Sequence, residues 1–492
     1  MMRPATSLLA VSVLLVLGAG VSTALGPPES IVAHQPDRPP VPVARTGAVC
    51  PEPIAAPGAQ TRVGLAAPGL AATDAPPGGA QLEPLARPDD PVVTLTAASD
   101  PAVVVLDAGA RGQALVGQAT GGLAPGFAAA MTTRTTSGDL RGLAGTTCVA
   151  AGTDFWFVGS GAEVGQRGRL YLTNPESAPA LVDVTLHGPA GEIDAPSGRG
   201  VSVAARGQEV LVLDALAPAI PRFGVHVQVR QGRVAAALRD TQIRGLDPLG
   251  VDWVPAAAPP ARRVVLPGVP PGAGERQLQV LAPGDTDAIV RVRLLATDGS
   301  FVPAGLDVIE VPAGSVAEVD LAPYAREEAV AVELTADAPV TAGLLARVGA
   351  GREQPELAYT AAVLPLRHQG PGAQALAGVD GGPSGQLLLT APGGDASVLV
   401  SPLPPASGTP ITVIVTSGSQ VTVDLSTISA DRTFAVSVVP VAGSGPVFAG
   451  RALSEADARG PMLTMSTLPP GRYRVRVPTV SADLSTGLRG GS

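Results

Sequence analysis

Three landmarks recur four times along this chain of 492 residues, each at a spacing close to 107, and no other feature limits the fold as tightly. The first is an apolar stretch that stops at a turn: Leu65-Ala66-Ala67-Pro68, Leu172-Thr173-Asn174-Pro175, Leu281-Ala282-Pro283 and Leu389-Thr390-Ala391-Pro392, with prolines 107, 108 and 109 apart. The second is an alternating segment ending at Asp107, Asp214, Asp320 and Asp424, spaced 107, 106 and 104. The third is a small-residue strand opening at Phe127, Val234, Val340 and Val447, spaced 107, 106 and 107. Three separate landmarks holding one period define a fourfold internal repeat.

Between the landmarks the pattern has period two. Val182, Val184 and Leu186 alternate with Asp183, Thr185 and His187, and Val225, Val227 and Val229 with His226, Gln228 and Arg230. Such alternation belongs to half-buried antiparallel strands, and Gly and Pro turns separate them. A unit of this length with roughly seven short strands matches an immunoglobulin-like β-sandwich. The expected fold is therefore all-β: four tandem immunoglobulin-like β-sandwiches at 48–153, 154–262, 263–385 and 386–492, after an N-terminal export or anchor segment. The Pro/Ala-rich stretches 255–260 and 369–384 serve as junctions or long loops. An alternative packing has repeats sharing sheets.

Met1 to Arg3 is a short basic start and Ala5 to Ala24 an apolar run, so residues 1–26 read as a signal peptide cleaved after Ser22-Thr23-Ala24 or as an uncleaved membrane anchor. Residues 27–47 read as a proline-rich tether. Arg3 and the long acidic remainder place the body outside the cytoplasm, secreted or held at the outer face of the membrane. Cys50 and Cys148 are the only cysteines, and a lone pair in an oxidising compartment is expected to form a disulfide. Closing that loop stabilises the fold by up to about 4–5 kcal/mol in the chain-entropy model.

Composition removes whole classes of chemistry. All 33 basic residues are arginine, so P-loop NTPases, protein kinases and Schiff-base enzymes are excluded for want of lysine. A net charge of −9 gives no basic field for nucleic acid. His34, His187, His226 and His368 have no metal-ligand spacing and read as solvated surface residues. Asp285-Thr286-Asp287 resembles the Asp-x-Asp of sugar transfer but falls at the repeat's turn, where aspartate bonds the local backbone. Asp107, Asp214, Asp320 and Asp424, one per repeat, read as turn features rather than as a glycosidase pair. No cofactor or metal site emerges.

Three positions stand as surface or junction candidates. Trp156, in Asp154-Phe155-Trp156-Phe157-Val158-Gly159, lies on the opposite strand face from Phe155 and Phe157 and either stacks on a sugar or, as the favoured reading, packs into a junction. Trp253 is expected at another junction. Arg291 and Arg293, like Arg472, Arg474 and Arg476, either form cationic ladders for envelope phosphate or uronate groups or are simply solvated.

Cys50-Pro51, Thr153 to Gly159, Leu172-Thr173-Asn174-Pro175, Gly232 to Asp240 and Pro312 to Leu321 together resemble a family of secreted or membrane-anchored actinobacterial proteins that carry a domain of unknown function. The resemblance covers roughly residues 45 to 490. It implies an envelope protein, often encoded near envelope glycosyltransferases, and carries no catalytic residues with it. The expected function is a non-catalytic extracytoplasmic scaffold or binding module, in which stacked sandwiches present an extended surface to an envelope protein or glycan. The alternative is a glycan-active or glycan-transfer accessory enzyme using acidic residues in an inter-domain cleft.

Overall fold

The computed structural model describes residues 40–68, 76–87, 90–97, 102–107, 113–349, 351–366, 368, 374–380, 384–403, 407–431 and 433–477. The export segment and most of the tether lie outside them. The chain divides into a terminal unit, of which residues 40–41 and 475–477 are described, and the unit Pro42–Arg474, which holds the architecture below. Among the described residues no helix is long and apolar enough to cross a membrane.

The third repeat shows the plan. Its first sheet joins Ala261–Val269, Ala288–Ala296, two short strands and the first half of the 19-residue strand Val330–Val348. Its second sheet joins Arg276–Leu281, Val316–Asp320, Glu356–Ala361 and the second half of that long strand. The crossing falls at Asp337-Ala338-Pro339, where Pro339 has no N–H to give a ladder. In the other repeats the crossing strand is broken in two: Leu115–Thr120 then Ala128–Thr135, Gly224–Gln231 then Ala235–Arg244, and Thr433–Pro440 then Phe448–Asp457. Each half joins a different antiparallel sheet, so every repeat is a two-sheet sandwich, and among the described residues no sheet is shared between repeats.

Period-two patterning accounts for the cores. In the third sandwich Val290, Val292 and Leu294 of one sheet meet Leu278, Val280 and Leu344 of the other, all at most 1% exposed. Each such side chain contributes about 1.5–3 kcal/mol by leaving water. The fourth sandwich starts earlier than its sequence unit: Gln374–Asp380, within 263–385, pairs with Thr433–Pro440. The first sandwich likewise begins at Arg45–Cys50, which pairs with Leu115–Thr120.

Cys50, ending that first strand, is joined to Cys148, just past the last strand of the same sandwich, with Cα atoms 4.4 Å apart. Both sulfurs lie in the first sandwich's core. The bond fits an oxidising compartment.

The sandwiches do not stack end to end. Each finishes in a hairpin strand, namely Gly142–Thr147, Asp247–Val254, Glu356–Ala361 and Gly460–Thr467. The first of these lies against the second and fourth, and the third lies against the same two, so four last strands close a ring. Every seam is packed. Tyr171, Val251 and Trp253 of the second sandwich enter the first core, and Leu345, Leu357 and Tyr359 of the third enter the second. Leu388, Leu463 and Met465 of the fourth pack on Ala358 of the third, and Ala435 of the fourth packs on Ala66 and Ala130 of the first. The extended surface expected from a linear stack is thereby replaced by one closed body, in which the last strand of each repeat is buried along most of its length on both faces.

Candidate functional site

Where the four last strands meet, polar groups from all four sandwiches converge. Asp252, fully buried, accepts hydrogen bonds from Gly145 N (3.0 Å) and Thr464 Oγ1 (2.9 Å) on one oxygen and from Tyr359 N (3.3 Å) on the other. Gly145, Asp252 and Tyr359 stand 107 residues apart, so one position of the repeat supplies this layer. One layer along, buried Glu356 accepts from Leu143 N and Leu357 N, each at 3.1 Å. Gly142 and Gly250 make room for it: a Cβ on Gly250 would sit 2.5 Å from Glu356 Oε1 and 2.6 Å from Leu357 N, at φ +122°. Burial holds both carboxyls well above the usual carboxylate range against these donors, and the neighbouring Asp252 charge pushes Glu356 higher.

Two further polar groups tie the seams. Asp240, also raised by burial, accepts from Ser160 Oγ (2.8 Å), Gln242 Nε2 (2.8 Å) and Tyr359 Oη (2.6 Å), while Arg347 Nη2 reaches Gln242 Oε1 at 2.7 Å. At the closing seam Arg141, with no exposed side chain, donates to Asp457 Oδ1 (2.6 Å), Asp457 Oδ2 (3.3 Å) and the Gly460 carbonyl (2.7 Å). The Arg141 guanidinium draws Asp457 down to about 2. Arg134 pairs with Glu455 across the same seam.

Beyond the carboxylate layers, where the four last strands end, the axis opens into a cavity of about 330 Å³. Its wall takes Thr147 to Ala150 from the first sandwich, Val254 to Pro259 after the second, Ala362 to Leu364 after the third and Ser466 to Arg472 after the fourth. Phe127, Phe155 and Phe157 add aromatic rings to it. The space exists because those four segments are mostly Ala, Pro, Val and Thr, whose side chains are too short to fill it. The Pro/Ala-rich composition at 255–260 was the visible signal, read from sequence only as a junction or loop.

The sequence candidates fall elsewhere. Trp156 is 8% exposed and packs with Val158, Leu281 and Val316 between the second and third sandwiches. Phe157, on the opposite face, is in the second core. His226 stacks on Trp156 with ring centroids 3.7 Å apart and planes at 8°, and pairs with Asp154 at 3.4 Å. Burial lowers His226, with Asp154 opposing. His187 is 5% exposed, its Nδ1 2.9 Å from the Gly314 carbonyl. These two histidines are thus covered by the third sandwich rather than solvated, a consequence of ring packing that a single strand does not display. With Thr185, Glu192 and Thr286 they line a small cleft.

Trp253 is fully buried at the first seam, its ring 5.4 Å from that of Tyr171, with the Arg239 guanidinium over both. Arg291 is exposed, but Arg293 is held by Glu333, shared with Arg263, and donates to the Pro392 carbonyl at 2.8 Å. Arg291 and Arg293 therefore form no free pair of cations. Asp320 accepts from Ala322 N and Asp424 from Ser426 N, each at 2.9 Å, local backbone bonds of the turn type. Asp287 instead accepts from Ala313 N (2.9 Å), 26 residues on, and Asp214 Oδ1 is buried without a hydrogen-bond partner among the described residues, so the turn reading does not extend to these two. The Asp107 side chain lies outside what is described. Among the described residues no three His, Cys, Asp or Glu side chains are grouped to hold a metal ion.

A family model described as a family of unknown function, DUF5719, matches residues 103–412, from the first sandwich into the fourth. The chain belongs to this family. No curated protein matches it. Among solved structures, the crystal structure of Thermotoga maritima 1070 is similar at 19% identity, covering 21% of this chain and 92% of that one with a TM-score of 0.18.

Proposed function

We propose that the protein is a non-catalytic extracytoplasmic component of the cell envelope, a scaffold or binding module that offers its sandwiches to an envelope protein or glycan. It is secreted or held at the outer face of the cytoplasmic membrane through its N-terminal segment. The observation that carries this reading is what the converging acids do. Asp252, Glu356 and Asp240 are buried and spend their oxygens on backbone and side-chain donors that lock the sandwiches together. Groups so engaged stiffen a body rather than act on a substrate. The disulfide and the resemblance to actinobacterial envelope proteins support the location.

A glycan-active enzyme would need two carboxyls flanking a bond. The cleft beside Trp156 has one among its lining residues, Glu192. In-cell crosslinking of a tagged copy, followed by mass spectrometry of the washed envelope fraction, tests the proposal. A specific protein or glycan retained with the chain is expected. Recovery of the bare chain, with a control protein crosslinking well, contradicts a scaffold role.

A further inference from the structure

The axial cavity has a wall of unusual chemistry. Much of its main chain is already engaged: Val49 and Val149 bond each other, Cys148 N donates to Ala129 O, Ala257 N to Trp156 O, Ala258 N to Ala362 O, Val363 N to Val265 O and Leu468 N to Ala449 O. A peptide ligand, which gains affinity by pairing with open backbone groups, would find few there. The side chains facing the space are mostly Ala, Val, Pro and Phe. Thr46, Thr146, Thr147 and Thr467 add hydroxyls, of which those of Thr146 and Thr147 donate to the Thr147 and Thr467 carbonyls, and one further polar atom has no partner among the described residues. Ser466, 4% exposed and on the wall, has an Oγ with no hydrogen-bond partner, a state that destabilises the fold if left so. At the rim stands Arg472, exposed and part of the lining. The volume lies at the lower end of the range for small-molecule sites.

We propose that the axial cavity binds one aliphatic acyl chain, its methylenes against the Ala, Val, Pro and Phe wall, an oxygen of its head on Ser466 Oγ and an anionic head facing Arg472. Binding is non-covalent. Each methylene gains by burial against a wall made mostly of apolar side chains. This goes beyond the scaffold reading and does not depend on it, since a partnerless protein can still bind a chain here.

The test titrates the full chain, purified without detergent, with dodecanoate and separately with dioctanoylphosphatidylglycerol, following binding by calorimetry. Saturation at one equivalent by either is expected, and the one that binds tells free acid from lipid as the source. Ala256→Phe and Ala150→Phe, placed on walls from two different repeats, each weaken binding at least tenfold. Arg472→Ala weakens dodecanoate several-fold and leaves dodecanol unchanged. Because a filled cavity can unfold a variant, dodecanoate carrying a terminal diazirine is also photolysed on the unaltered protein, where labels fall within 146–150, 254–259, 362–364 and 466–472. Absence of saturable binding, labels outside those segments, or one-to-one binding of an Ala/Pro-rich peptide in preference to dodecanoate overturns the proposal.

Discussion

The four last strands make two different things of one axis. At Gly145, Asp252, Tyr359 and Thr464 they are drawn together by carboxyls that bond across all four sandwiches. A few residues on, at Cys148, Pro255, Ala362 and Leu468, they part around an open space. The difference lies in side-chain reach and polarity. Asp and Glu extend to distant backbone donors and fix spacing, whereas Ala and Pro stop short and leave volume. Closure and cavity are therefore separable, and substitutions can be aimed at one or the other.

The largest effect is expected at the closed end. Gly250→Ala forces a methyl against Glu356 and Leu357 N at a φ that side chains avoid, and should cost about 3–4 kcal/mol in a urea melt. Gly272→Ala, at φ +101° with nothing within 4 Å, meets only the backbone penalty and should cost about 1 kcal/mol. Equal costs would mean that the axial contact is absent.

Next comes pH. Asp252 and Glu356 are raised in the folded chain, so the unfolded chain releases their protons first, near its ordinary carboxylate range. The folded state then binds more protons, and stability falls as pH rises from about 4 towards the raised values, by up to about 1.4 kcal/mol per pH unit for each group. Asp252→Asn should flatten that fall above the ordinary carboxylate range in thermal melts, and an unchanged slope would remove Asp252 from it. Asp457 has the opposite sign: its value of about 2 means that its contribution is present above the unfolded range and lost as pH drops towards 2.

At the open end, Cys50→Ser with Cys148→Ser should cost about 2–4 kcal/mol by freeing the first sandwich's unfolded chain, without changing the slope set by the axial acids. Away from the axis, Arg293→Ala removes one of two cations on buried Glu333 and should cost about 1–2 kcal/mol, while exposed Arg291→Ala stays within about 0.5. Denaturant midpoints separate the two.

Repeat number, strand character and disulfide were legible because they depend on local chemistry: a two-residue alternation, a recurring proline turn and two cysteines. Ring closure was harder to read. Leu357-Ala358-Tyr359-Thr360-Ala361 is buried at every position, and such continuous runs belong to strands covered on both faces. Nothing in that run says whether the cover comes from its own sandwich or another. Arg141, Asp252 and Glu356 were passed over for the same reason, since their partners lie on other repeats, up to 316 residues away for Arg141 and Asp457. Trp156 and Trp253 were easier, because bulk alone predicts a seam. His187 and His226 sat on the polar side of an alternating strand, and solvent was the natural assignment until the third sandwich covered them.

Closure of the fourth sandwich onto the first is most directly tested by a double-mutant cycle on Arg141→Ala and Asp457→Ala, read from urea midpoints. A buried guanidinium bonded to its carboxylate across the seam should give a coupling of about 2 kcal/mol. Costs that add to within about 0.5 kcal/mol would contradict a closed ring.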